Sequence, residues 1–397
     1  MNRRLFVIYA AIALDAIGIG IVFPILPRLL EQVAHTQNVA PFIGIMTALY
    51  AFMQFLFAPV FGALSDNLGR RPILLISLAG AAMNYVIMAL APQLWMLLLG
   101  RGLAGLTSAN VSVATAYITD ISPADKRVRR FGLFNAMFGI GFIIGPVLGG
   151  LLGDYGVRLP FVAAAALNAC NLLLAFFMLP ESSAPARRKI DLPALNPLGP
   201  LSWIFSSKGL LPFVFVFFLI SATGEAYGTC WAMWGLDTFQ WNGLWIGLSL
   251  GTFGVCHMLV QALLPGPAAR RLGERKAVLV GFACSSAALI AMAFADRAWI
   301  VFAIMPIFAF GDIGTPAFQA LASRQVNPAL QGQLQGVLTS AMSLASIVAP
   351  LVFSTIYIVV QKHWPGAIWL SVVVIYAIAV PLVLLATRPR VNQLARA

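Results

Sequence analysis

Five ionisable side chains interrupt long apolar runs of this 397-residue chain: Asp15, Arg101, Glu225, His257 and Asp312. At mid-bilayer such a group costs about 2.5–3.5 kcal/mol on insertion scales, so each implies a partner or a task. A desolvated carboxyl favours its neutral form and can take and release protons near neutrality, which makes Asp15, Glu225 and Asp312 candidate proton carriers. Glu225 sits between Gly224 and Gly228, and Asp312 sits in Gly311-Asp312-Ile313-Gly314-Thr315-Pro316, the pattern expected of interrupted helices lining a wet cavity. The alternative for each acid is a structural pairing with a helix end or with Arg101. Arg101 opens the run Arg101-Gly102-Leu103-Ala104-Gly105, and its permanent guanidinium can hold a carboxylate ionised until the conformation changes.

His257 and Gln261 are four residues apart and share a helical face. An imidazole beside an amide can bind a polar ligand group, relay a proton, or hydrogen-bond across helices. Gln54, Asn84, Asn110 and Gln319 add neutral polarity within the apolar runs, and Trp231 offers a ring on which a substrate could stack. Trp241, just past the same run, reads as an interfacial belt residue. Cysteines at 170, 230, 256 and 284 show neither CxxC nor paired spacing, and with three histidines in the chain they read as small core hydrophobes rather than metal ligands. The chain has no nucleophile–base pair, no GxSxG and no phosphate-binding loop, which argues against an enzyme and against ATP-driven transport.

Positioning these residues requires a membrane scaffold. Hydrophobic residues make up 60% of the chain and charged ones 10%, against about 25% charged in soluble domains. About twelve runs are long enough to span a bilayer: 5–27, 42–64, 73–91, 94–118, 131–153, 160–179, 209–235, 243–265, 277–295, 298–322, 333–358 and 365–387. The expected fold class is therefore an all-α integral membrane protein of twelve helices. With a cytoplasmic N-terminus, 20 of the 25 Lys and Arg fall on the cytoplasmic side, and the other side receives Arg28, Arg158, Arg297 and Lys362. This bias puts both termini in the cytoplasm, and cations scattered over alternate loops exclude a nucleic-acid stripe. Five prolines and the run Arg187-Arg188-Lys189 mark 180–208 as a linker between two halves, 1–179 and 209–397.

The cytoplasmic turn Gly62–Pro72 has the spacing G-x-x-x-D-x-x-G-R-R. Gly69 permits a positive φ, Asp66 can pair with a nearby arginine such as Arg70, and Arg127 is a possible partner across the same face. The alternative is a basic loop that only sets topology. At an offset of 204 residues, Gly62, Gly69, Arg71, Gly132 and Pro146 recur as Gly266, Gly273, Arg275, Gly336 and Pro350. The second turn reads as a degraded copy, with Arg270 at the place of Asp66 and Glu274 at that of Arg70. Two parallel six-span repeats suggest a transporter with a central site, and a receptor would not need two related halves with buried acids in each.

These residues resemble the drug:H⁺ antiporter branch of the major facilitator superfamily. Gly62–Pro72 is similar to its motif A, Arg101 with Gly105 to motif B, and Gly141–Gly150 around Gly145-Pro146 to motif C. Leu14–Gly20, Ala48–Gln54 and Gln331–Gly336 resemble the bacterial tetracycline efflux group. The resemblance implies proton-driven export of an amphipathic drug across a bacterial inner membrane by a monomer, with no cofactor beyond the proton gradient. It assigns Asp66, Arg70, Arg71, Arg101, Arg127, Gly145 and Pro146 to gating, and Asp15, Gln54, His257 and Gln261 to drug and proton handling. Uptake of a metabolite on the same fold is the alternative. Where that group has aspartates this chain has Asn84 and Ser285, and it has acids at Glu225 and Asp312 where the group is neutral. Either the coupling acids have moved between helices, or the substrate is not a cationic metal–drug chelate.

Overall fold

The computed structural model describes residues 3–182, 196–197, 210–326 and 330–387. The expected linker 180–208 lies outside them apart from 180–182 and 196–197. Every regular element among the described residues is helical. The first group is α1 (Arg3–Val22), α2 (Leu26–Ala34), α3 (Ala40–Leu68), α4 (Arg70–Leu90), α5 (Leu94–Thr107), α6 (Asn110–Asp120), α7 (Ala124–Tyr155) and α8 (Leu159–Met178). The second is α9 (Leu211–Phe239), α10 (Gly243–Leu263), α11 (Pro265–Leu272), α12 (Glu274–Ala293), α13 (Ala298–Phe310), α14 (Gly314–Ser323), α15 (Gln331–Val360) and α16 (Ala367–Ala386).

Among the described residues, eleven segments are long and apolar enough to cross a membrane. At 1.5 Å per residue a 20-residue helix such as α8 reaches about 30 Å, the thickness of the hydrocarbon core. The twelfth expected path, 94–118, is present but broken: α5 stops at Thr107 and α6 begins at Asn110. Span ten is interrupted by a 3-10 turn, Gly311–Ile313, between α13 and α14. Span seven, where Gly224 and Gly228 suggested an interruption, is the unbroken helix α9. Interior glycine costs about 1 kcal/mol against alanine yet keeps its backbone hydrogen bond, so it permits a break without enforcing one.

The described residues fall into two compact units, one within 1–197, 227–255 and 346–365, the other within 198–226, 256–345 and 366–397. In the first, α1 lies along α7 and α8, and α3 lies along α5. Its apolar core includes Ile8, Ile12, Phe61, Leu78, Tyr117 and Phe134. Gly141, Gly145 and Gly149 of α7 sit against the backbone carbonyls of Ala13, Ile17 and Ile21, a register of four residues on both helices. Any side chain there would force the backbones apart, so close packing takes the place of a hydrophobic driving force that lipid does not supply. Pro146 and Gly150 of α7 meet Gly247 and Gly243 of α10 in the same manner. In the second unit α12 packs against α13, α14 and α16.

Candidate functional site

In the first unit the break in span four organises a polar cluster. Ala109 N–H donates to Thr107 O, a tight turn that interrupts the helix without proline or glycine. The Ser108 hydroxyl at this turn is 2.7 Å from the Tyr50 hydroxyl and accepts from Gln54 Nε2 at 3.0 Å. Asn110, two residues on, lies beside the Asp15 carboxyl, and Asp15 retains 4% of its surface. Tyr85 lies within electrostatic reach of both Asp15 and Arg101. Asp15, Gln54 and Asn110 thus share one enclosed neighbourhood, and Tyr50, Tyr85 and Ser108 are members that the sequence did not announce. Asn84 is also buried, and its Oδ1 has no protein partner among the described residues. Among those residues, no ion pair joins Arg101 to a carboxylate; its electrostatic neighbours are Tyr85 and Tyr50.

In the second unit three of the expected residues meet. His257 Nε2 is 3.3 Å from Asp312 Oδ2, and Gln261 Nε2 donates to the Asp312 backbone carbonyl at 3.1 Å. Pro316, four residues on, has no N–H to offer that carbonyl, so the glutamine bond supplies a partner that the helical ladder cannot. The 3-10 turn is crowded from behind, where the Ser285 hydroxyl fills the space that a side chain at Gly311 would need. The side chains of His257 and Asp312 are 42% and 37% exposed, so neither is enclosed by protein. Gln319 is exposed on α14, and Glu225 lies half-buried on α9. The Thr223 hydroxyl is 3.2 Å from the Tyr376 hydroxyl, close to the Asp312 charge.

At the basic turn, Gly69 has φ 102° and separates α3 from α4. Arg70 pairs with Asp66 at 2.6 Å and with Asp120 at 3.1 Å. Glu181 accepts the backbone N–H of Arg70 at 2.8 Å and of Arg71 at 3.2 Å, capping the start of α4. Arg71 reaches Phe176 O at 2.6 Å, with its guanidinium over the Phe176 ring. Asp120 and Glu181 escaped the sequence reading because they lie 50 and 111 residues away in the chain. Arg127, expected as a partner here, instead donates to Ser122 O at 3.2 Å within its own helix entry.

Trp231 is not an open stacking surface: it is 1% exposed, donates to Ser249 Oγ at 2.8 Å, and packs against Tyr227, Trp234 and Trp241. Trp241 is likewise core rather than belt, at 3% exposure and stacked on Phe239. The turn after α9 folds the ring back over Gly235, where a side chain would block it. Nearby, Asp154 caps the start of α10 through the N–H groups of Gly243 and Leu244 and pairs with Arg28 at 3.1 Å. The Tyr357 hydroxyl donates to Asp237 at 2.7 Å. Burial, and then the neighbouring Asp237 carboxylate, push Glu31 above the ordinary carboxylate range, while Arg28 pulls it back. Among the described residues no cluster of three His, Cys, Asp or Glu could hold a metal ion.

Membrane-length helices, two glycine turns at one offset and half-helices carrying polar groups narrow the choice to few families. The family model described as the Major Facilitator Superfamily matches residues 8–235 and again 213–396. The chain belongs to the Major Facilitator Superfamily. As a member of this superfamily it is a multi-pass secondary transporter and not an enzyme. Among curated proteins it is 46% identical to the class C tetracycline resistance protein of Escherichia coli, with 96% of each chain covered. It is 41% identical to the class G tetracycline resistance protein of Vibrio anguillarum, covering 96% of this chain and 97% of that one. The crystal structure of the nucleoside transporter NupG shares the fold, with a TM-score of 0.78 at 16% identity over 97% of this chain and 98% of that one.

Proposed function

We propose that this superfamily member exports tetracycline-type drugs from a bacterial cytoplasm in exchange for protons, by alternating access across the inner membrane, with both termini cytoplasmic. The observation that carries drug export is the similarity over nearly the whole chain to tetracycline resistance proteins. Two six-span halves, 1–179 and 209–397, rock about a substrate site within a single chain and need no cofactor. Asp312, Asp15 and Glu225 are the proton-coupling carboxyls. Protonation from outside competes with the drug for them, so the inward flow of protons drives drug out.

His257 and Gln261, which hold Asp312 by side chain and backbone, support its assignment as the group that changes charge in the cycle. Gln54, Asn84, Asn110 and Gln319 offer neutral hydrogen bonds to a polar drug, and Trp231 acts by holding an aromatic core rather than by stacking. Asp66, Arg70, Arg71, Arg101 and Arg127 serve gating, with Gly145 and Pro146 as the close-packed seam of α7. Tetracycline uptake into inverted vesicles, driven by an imposed ΔpH and abolished by an uncoupler, tests the proposal. No ΔpH-driven movement of tetracycline would overturn the drug assignment, and counterflow into right-side-out vesicles alone would make the protein an uptake symporter.

A further inference from the structure

The two glycine turns are not a working copy and a ruin. Gly69 and Gly273 are the glycines with positive φ among the described residues, at 102° and 77°, and each is followed by a helix that begins on a charged residue, Arg70 or Glu274. Arg70 Nε bonds Asp120 at 3.1 Å, 50 residues on, and Arg324 Nη2 bonds Glu274 at 2.6 Å, also 50 residues away. The offset of 204 that relates the turns carries position 70 to 274 and position 120 to 324. Both ion pairs therefore join equivalent places, the start of the helix after the turn and the end of the next span, with the signs of charge exchanged.

Helix dipoles explain why the inverted pair needs less support. A helix start favours a negative group and a helix end a positive one. Glu274 on the first residue of α12 and Arg324 just past α14 satisfy both preferences. Arg70 on the first residue of α4 and Asp120 on the last of α6 oppose both. The first pair is accompanied by a second carboxylate, Glu181, on the N–H groups of Arg70 and Arg71.

We propose that Glu274 and Arg324 form a second, charge-inverted latch that positions the base of α14, the half-helix whose other end adjoins Asp312, and thereby sets the turnover rate. It rests on the transport reading above, because a latch is defined by the cycle it times. The Arg324 side chain is 71% exposed, and ion pairs in water contribute little to stability, so breaking this one leaves the protein in the membrane and acts on rate.

The test is ΔpH-driven tetracycline uptake in inverted vesicles at matched amounts of transporter. Glu274→Gln, Arg324→Gln and the single inversions Glu274→Arg and Arg324→Glu each lower the maximal rate about three- to fivefold at unchanged KM, equivalent to about 0.6–1 kcal/mol in the rate-limiting barrier, the upper range for an exposed pair. The double inversion Glu274→Arg/Arg324→Glu recovers most of the rate but not all, since it sets the charges against the dipoles. Single variants within twofold of the parent, a double inversion that recovers nothing, or a loss confined to protein amount each overturn the latch. A parent protein that moves no tetracycline overturns the transport reading and the latch with it, whereas an active parent with indifferent variants removes the latch alone.

Discussion

Asp15 and Asp312 are both carboxyls set inside apolar spans, yet their surroundings differ in kind. Asp15 retains 4% of its surface and lies beside Asn110, in a neighbourhood that includes Tyr50, Tyr85 and the turn at Ser108. Asp312 stands on a 3-10 turn with its side chain 37% exposed, paired with a second titratable group, His257, that is itself 42% exposed. An enclosed carboxyl is held by its surroundings. A carboxyl beside an imidazole can pass a proton on and alter its pairing when it does. Within the transport proposal this contrast favours Asp312, of the three proposed carboxyls, as the one that takes the coupled proton first.

Asp312→Asn is the strongest challenge to this contrast. ΔpH-driven uptake should fall about 100-fold, within the range for losing a positioned proton-transfer group. Exchange of labelled drug without a gradient should persist, and retained coupling would return the role to Asp15 or Glu225. His257→Ala should slow uptake about tenfold, or about 1.4 kcal/mol of barrier. Uptake at the parent rate would reduce His257 to a structural donor.

Asp15→Asn keeps the shape of the enclosed side chain, so the expected loss is about three- to fivefold, equivalent to about 0.6–1 kcal/mol of barrier. If this variant is as inactive as Asp312→Asn in the same vesicles, the two sites are equivalent and the distinction collapses. Ser108→Ala removes the group that Tyr50 and Gln54 share. It should raise KM about twofold and lower the melting temperature by about 1 °C, from the loss of about 1 kcal/mol of hydrogen bonding in a chain of this size. Melting at the parent temperature would show that the break in span four holds without it.

Much of this site was legible as residue types and little of it as partnerships. Asp15, His257, Gln261 and Asp312 stand out because polar groups in apolar runs are costly, whatever they touch. That Gln261 would bond the Asp312 carbonyl, 51 residues away, depends on how α10 meets the interrupted span, which no local pattern encodes. Gly311 and Pro316 foretold the interruption of span ten, whereas the break at Ser108–Ala109 had no glycine or proline to signal it. The reverse error fell on α9, where glycines were present and the helix continued.

The sequence alone determined the membrane class, the approximate spans and the repeat at 204, because hydrophobic length and glycine at positive φ are local requirements. Tertiary structure decided which charges pair: Arg70 with Asp120, Glu274 with Arg324, His257 with Asp312. It also turned Trp231 and Trp241 from exposed rings into core. An apolar run states only that a helix can enter lipid. Which of its faces meets protein, and therefore which polar groups find one another, is settled by the neighbouring helices that pack against it.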